Sequence, residues 1–291
     1  MTRPVLITGG AGSVGRQLVE KLLESGRSVR ILDLPVMDFS GLEDRANVVV
    51  VRGDITNAEV VKESVAEVYG VVHLAALLPP NSERDRDKTF TVNVVGTEAI
   101  VRAMERGDPD AVLVFPSSVS TYGDTAAETP PVSTDHPLRA IDIYAESKIA
   151  AEVSVRESAL KTVVMRIAAI AVPAFLEPPK VWPFTPDQRV EMVHRDDVVD
   201  ALFASVDAPD VAGKVFNIAG GPTWRLTGRD YVEDFYEFVG ASSGEAVYRE
   251  DPGWMDWYDT AESQRSLGYQ NRTYERYAGE MRALVASMMA E

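Results

Sequence analysis

Cysteine is absent from the 291-residue chain, which excludes disulfides, thiolate metal sites and a cysteine nucleophile. Histidine is nearly as scarce, and His73, His136 and His194 are too scattered to build a zinc site, so no metal is expected. Positive charge is in deficit, with 29 Lys and Arg against 45 Asp and Glu and a formal net charge of −16. A surface of that sign opposes phosphate backbones and anionic lipid, so neither nucleic acid nor membrane is an expected partner. The chain also lacks the run of roughly 18 apolar residues that a membrane span needs and has no apolar leader after Met1, so a cytoplasmic location is expected.

What is present is the composition of a globular enzyme, 45% hydrophobic and 25% charged, with length for one large domain or two lobes. Short β-branched runs at residues 5–8, 29–34, 48–51, 70–74, 111–115 and 162–167 alternate with helix-period stretches such as Val14-Leu18-Leu22 and Val94-Ile100-Met104. That rhythm predicts βαβ units in a Rossmann-type, doubly wound parallel sheet, an α/β fold. Gly26 and Gly107 are expected to close the two helices. From Pro173 the character changes: five prolines between 173 and 186 predict a loop. Helices near 196–206, 230–239 and 274–289 and a strand at 214–218 then suggest a small C-terminal α/β substrate lobe. The division is placed at 1–172 for the dinucleotide domain and 173–291 for the lobe, with the chain crossing between them.

The first strand runs into Thr8-Gly9-Gly10-Ala11-Gly12-Ser13-Val14-Gly15 and then a helix. Gly9 permits a tight turn, Gly12 lets backbone N–H groups approach a pyrophosphate, and Gly15 lets helix and strand pack closely. Asp33, at the end of the next strand, can accept hydrogen bonds from a ribose 2′-hydroxyl and repels a 2′-phosphate, which favours NAD over NADP. Asp54-Ile55 follows the third strand and is placed at the adenine edge. Tyr144 and Lys148, four apart on one helix face, predict a phenol whose pKa an ammonium lowers for proton transfer. Ser117 and Ser118 end a strand at the sheet edge where such folds place ligands, and a hydroxyl there can hydrogen-bond a substrate oxygen. Of the four tryptophans, 182, 224, 254 and 257, most are expected in the core of the lobe.

In order along the chain, these motifs resemble the extended short-chain dehydrogenase/reductases, the NAD-dependent epimerase/dehydratase family. They are joined by His73-Leu74-Ala75-Ala76, Asn93-Val-Val-Gly96-Thr97, Phe115-Pro-Ser-Ser118, Arg166 and His194-Arg-Asp-Asp197, over residues 3–220. The resemblance implies Ser118, Tyr144 and Lys148 as the catalytic set. It implies NAD contacts from Ser13, Val14, Asp33, Asp54, Ile55, the 74–78 stretch with Leu74, Ala75 and Ala76, and Asn93, with Lys148 also on the nicotinamide ribose. His194 to Asp197 are implied to belong to the structure of the second lobe. It further suggests a homodimer built from the helix after Thr89 and the helix carrying Tyr144, with Val94, Val101, Ile149 and Val153 available to that interface or to the core.

The chain departs from that family in places. Val119 and Ser120 stand where its dehydratases carry an Asp-Glu pair, Ala169 replaces a usual Asn, and only about twenty residues separate Pro173 from His194. A nucleotide diphosphate loses contacts on both of the last counts. The function expected is oxidation or reduction of a hydroxyl or keto group on a sugar-like or other small polar substrate, NAD-dependent. Sugar epimerisation uses the same catalytic residues and stays open, as does a dinucleotide-sensing regulator without turnover.

Overall fold

A computed structural model describes residues 3–174, 177–208 and 210–289. Seven parallel strands form the large sheet: β1 (Val5–Thr8), β2 (Val29–Asp33), β3 (Val48–Arg52), β4 (Gly70–His73), β5 (Val112–Ser118), β6 (Lys161–Ile167) and β9 (Lys214–Ile218), in the spatial order β3-β2-β1-β4-β5-β6-β9. The chain steps outward from β1 to β3 and then returns to β4 on the other side of β1. The crevice between β1 and β4, at their carboxyl ends, is therefore the switch point of the sheet, where open α/β folds bind ligands.

Alternation along the strands explains the two layers. Val5 and Ile7 face one apolar cluster and Leu6 the other, as the period of two in a strand requires. On the first face, Leu18, Val19 and Leu22 of α1 (Ser13–Glu24) pack with Val198, Ala201 and Leu202 of α6 (Arg195–Asp207). The second face receives α2 (Ala58–Val65), α4 (Gly96–Gly107) and α5 (Ile143–Arg156) through Val61, Ile100, Met104, Ala151 and Val155. Both β9 and α6 come from beyond residue 173, so the chain returns to the large sheet after the proline-rich stretch.

A second, three-stranded sheet of β7 (Ala169–Ala171), β8 (Arg189–His194) and β10 (Arg225–Thr227) carries an aromatic cluster of its own. Trp182 and Trp224 are buried there with Phe184, Phe235 and Tyr277, alongside α7 (Gly228–Phe238) and α9 (Tyr274–Met289). Trp182 lies 5.2 Å from Phe235 between ring centroids in an edge-on arrangement, the geometry that aromatic quadrupoles favour.

The structure differs from the sequence reading in several places. The helix expected to run through Val94 starts as a π-helical turn, Thr91–Val95, before α4 begins. Gly107 is the last residue of α4, and the cap is the extended Asp108. At the other helix the expectation is met: Gly26, at φ +82°, turns the chain just after α1. The strands β7, β8 and β10 were not expected at all. Nor was the start of α7 at Gly228, where Thr227 and Asp230 form a reciprocal capping box.

Candidate active site

The crevice over β1 and β4 opens into a cleft of about 570 Å³. Its floor is the glycine turn. Gly9 holds φ +71°, and a Cβ there would come within 2.8 Å of the Ala75 amide nitrogen. At Gly15 a Cβ would sit 2.5 Å from the Gly9 carbonyl oxygen, so strand and helix touch as the spacing predicts. Gly12 is different: an added Cβ would meet the Gly9 oxygen alone, at 3.3 Å, with the rest of its space open. Gly12 also caps α1 without any side-chain hydrogen bond, leaving the first amides of the helix to a ligand. Unfilled space above a helix N-terminus fits a pyrophosphate.

Asp33 holds this turn in place: its carboxylate accepts from the Ala11 amide at 3.0 Å and from the Leu34 amide at 2.8 Å. A hydrogen-bond chain fixes the opposite wall. The Ala75 amide donates to Thr8 Oγ1 at 3.2 Å, Thr8 Oγ1 contacts His73 Nδ1 at 2.7 Å, and His73 Nε2 contacts Thr97 Oγ1 at 3.0 Å. Thr97 spends its own proton on the Asn93 carbonyl, so His73 must donate from Nε2 and accept from Thr8 at Nδ1. Burial, aided by the Lys148 charge, pushes the His73 pKa down to about 3 and keeps the ring neutral. The glycine strand, the 74–78 segment and the π-helical turn are thereby locked together.

Ser118, Tyr144 and Lys148 all line the same cleft as Gly9, Gly12, Ser13, Val14, Gly15, Leu74 and Ala76. Ser118 Oγ accepts from the Ser120 amide at 3.1 Å and the Ser120 hydroxyl at 2.8 Å, which leaves its own proton to donate. Ser117, its neighbour, also lines the cleft, but its hydroxyl donates at 3.0 Å to Glu152, which is ion-paired with Arg166 beneath the strand. Tyr144 and Lys148 sit one turn apart on α5, with Nζ of Lys148 5.9 Å from the Tyr144 ring centroid. Asp142 caps α5 by accepting from the Ala145 amide at 2.7 Å, and Glu83 accepts from the Ile143 and Tyr144 amides.

One electrostatic expectation is corrected. Lys148 was expected to lower the Tyr144 pKa, yet burial pushes the phenol above its usual range and the Asp142 carboxylate adds to the effect. The ammonium is spent on the Pro116 carbonyl at 2.7 Å, and burial lowers Lys148 itself to about 8, against the pull of Glu152.

Five residues expected at the cofactor lie outside the cleft lining, each for a visible reason. Asp33 and Ala75 brace the turn through the Ala11 amide and Thr8. Asp54 folds onto Thr56, accepting from its amide and its hydroxyl at 2.8 Å each. Ile55 is buried against Gly96. Asn93 clasps the Leu77 backbone, accepting at 2.7 Å and donating at 3.1 Å, and also donates to Ser147 on α5 at 2.9 Å. Its geometry is that of a residue positioning the 74–78 segment against the helix of Tyr144. His194 caps α6 and contacts Glu280 at 3.0 Å, in a structural place.

Among the lining residues that the sequence reading does not foresee are Asp142 and Trp254. Asp142 is legible afterwards as an N-cap residue at the start of a helical stretch. Trp254 lies in a loop with no periodic signal.

Comparison with known proteins agrees with this architecture. The sequence profile described as the NAD dependent epimerase/dehydratase family matches residues 5–173, and the chain belongs to that family. A 3-beta-hydroxysteroid dehydrogenase of Mycolicibacterium neoaurum is 34% identical over 154 residues, covering 51% of this chain and 41% of the relative. The D-erythronate dehydrogenase of Cupriavidus necator is 36% identical over 141 residues, covering 45% and 42%. The matched stretch thus spans less than half the length of these curated relatives. Among solved structures, MoeE5 in complex with UDP-glucuronic acid and NAD superposes with a TM-score of 0.80 at 23% identity, covering 98% of this chain and 99% of that one. A short-chain dehydrogenase/reductase superfamily protein from Agrobacterium tumefaciens with bound NAD gives 0.79 at 23% identity, covering 99% and 98%. At such identity the likeness concerns the fold. Among the described residues no helix is long and apolar enough to cross a membrane.

Proposed function

We propose that this protein is an NAD-dependent oxidoreductase acting on a hydroxyl or keto group of a small molecule. The observation that carries this reading is convergence: a glycine cradle with open space over Gly12 and a serine, a tyrosine and a lysine share one cleft. Gly9, Gly12, Ser13, Val14, Gly15, Leu74 and Ala76 would hold the dinucleotide, with Asp33 at the adenosine ribose. When bound, NAD supplies a hydride acceptor and a positive nicotinamide ring beside Tyr144.

The proton chemistry belongs to the chain. Ser118 donates its free O–H to the substrate oxygen and holds it still. Tyr144, once it has lost its own proton to solvent, accepts the substrate hydroxyl proton as the C–O bond becomes a carbonyl, and in the reverse direction returns it. Lys148, whose ammonium also donates to the Pro116 carbonyl, would hold the nicotinamide ribose, while burial and Asp142 hold the proton on Tyr144 in the free protein. Bound NAD in MoeE5 and in the Agrobacterium protein supports the cofactor assignment, and the two curated dehydrogenases support the reaction class. The homodimer through α4 and α5 belongs to the same proposal. Val95, at the end of the π-helical turn before α4, and Val153 on α5 are each nearly half exposed, whereas Val101 is committed to the core.

A paired titration tests the cofactor assignment. NAD should bind more tightly than NADP, because the Asp33 carboxylate repels a 2′-phosphate, and Asp33→Ser should narrow the gap. Equal or reversed affinity in the wild type contradicts the role of Asp33. Accumulation of NADH with an alcohol substrate supports net oxidation, whereas inverted product with no NADH would indicate epimerisation.

A further inference from the structure

Resting on the oxidoreductase reading above, the geometry points to an uncharged substrate: a neutral alcohol that offers a second hydroxyl to Asp142 and lays a C–H face against Trp254, with anionic sugars and nucleotide sugars turned away.

Three observations converge on it. The first is the lack of a spare cation. Among the described residues lining the cleft, Lys148 is the one cation, and its ammonium already donates to the Pro116 carbonyl. Four arginines of the neighbouring strands and loops are spent elsewhere. Arg166 is paired with Glu152 and Arg189 with Asp256, and Arg272 holds Asp197 and Asp200. Arg225 donates to the Tyr258 carbonyl at 3.2 Å with Glu191 nearby. None of the four lines the cleft, so beyond the α1 amides claimed by the dinucleotide, a substrate diphosphate or sugar carboxylate would be desolvated without a guanidinium fork to receive it.

The second observation is the acid. Asp142 lines the cleft two residues before Tyr144, and one carboxylate oxygen, Oδ1, accepts from the Ala145 amide. The other makes no hydrogen bond among the described residues, so it can accept from a substrate hydroxyl and repels a substrate anion. The charges facing Asp142 are Glu83 and Glu146, which reinforce it, and the exposed Arg249 at the rim, which offsets part of it. Arg249 forms no ion pair among the described residues and is the one group that would argue for an anion.

The third observation is the wall. Leu78 is 55% exposed and Ile170 38% exposed at the mouth, with Pro79, Ala169 and the half-buried Trp254 completing an apolar surface. Exposed apolar side chains grouped around a cleft mark a binding surface. The flat indole suits the C–H face of a ring.

The test compares NADH formation by the NAD-loaded protein with neutral free aldoses and alicyclic alcohols, with D-glucuronate and with UDP-glucose. Calorimetry of glucuronate and UDP-glucose on the same NAD-loaded protein runs beside it. The expected result is kcat/KM for the best neutral probe at least roughly a hundredfold above either anion. Asp142→Asn keeps an N-cap acceptor for α5 and removes the charge. It should narrow the gap at least roughly tenfold, mainly through a lower KM for glucuronate. An anion turned over as well as the neutral probes, or a gap that Asp142→Asn leaves unchanged, overturns the inference while leaving the oxidoreductase reading intact. No NAD binding and no NADH with any probe overturns both.

Discussion

Tyr144→Phe should lower turnover by roughly a hundredfold or more while leaving NAD affinity nearly unchanged, because proton transfer by a positioned side chain contributes about that much. The substitution keeps the ring and removes only the hydroxyl. Neither Ser118 nor Lys148 can replace it: the serine has no neighbouring base among its hydrogen-bond partners, and the ammonium is held on the Pro116 carbonyl. Half-buried and facing Asp142, the phenol sits above its usual pKa range in the free protein. Activity should therefore depend on the positive charge that the bound cofactor brings to it. Initial rates of NADH formation, together with NAD calorimetry on the variant, provide the check. A fully active Tyr144→Phe protein contradicts the mechanism.

Arg166→Met should have the largest effect on stability, a loss of about 3–5 kcal/mol, the cost of leaving a buried charge without its partner. Arg166 and Glu152 side chains are each 2% exposed, and the same guanidinium also donates to the Tyr122 hydroxyl at 3.0 Å and the Thr134 carbonyl at 2.8 Å. Arg156 reaches Glu152 from the surface at 3.6 Å but is too exposed to compensate. Denaturant titration of the variant reads the loss directly. A change below about 1 kcal/mol would show that the pair does not anchor α5 to β6. The double variant with Glu152→Met should recover much of the loss, since two apolar side chains of similar volume fill the site without a stranded charge.

These two effects mark what was legible in the sequence. The large sheet could be read because parallel strands buried on both faces are continuous apolar runs, as in Val5-Leu6-Ile7, and their helices carry 3.6-residue periodicity. The glycine turn could be read because Gly9 and Gly15 answer steric demands that the structure displays. What escaped was set by contacts distant in sequence. The three-residue strands β7 and β10 are shorter than any periodicity can register, and they exist because β8 pairs with both. The direction of the Tyr144 shift escaped because helical spacing shows that Lys148 is near but not that the fold desolvates the phenol and faces it with Asp142, nor that Lys148 donates to the Pro116 carbonyl 32 residues earlier. Similarly, the motif placed Asn93 at the cofactor, whereas its amide is committed to Leu77 and Ser147, partners 16 and 54 residues away.

The central claim, that the cleft over β1 and β4 is a dinucleotide site, rests on the open space above Gly12. Calorimetric titration of NAD into the wild-type protein and into Gly12→Val tests it most directly. Gly12 has extended backbone, φ −73° and ψ 170°, so valine is tolerated there and the fold should persist by circular dichroism. Its side chain would occupy the pyrophosphate space and block the α1 amides. The account predicts saturable NAD binding by the wild type and affinity at least roughly a hundredfold weaker in Gly12→Val. Binding of equal strength by the two proteins, or none by the wild type, would contradict it.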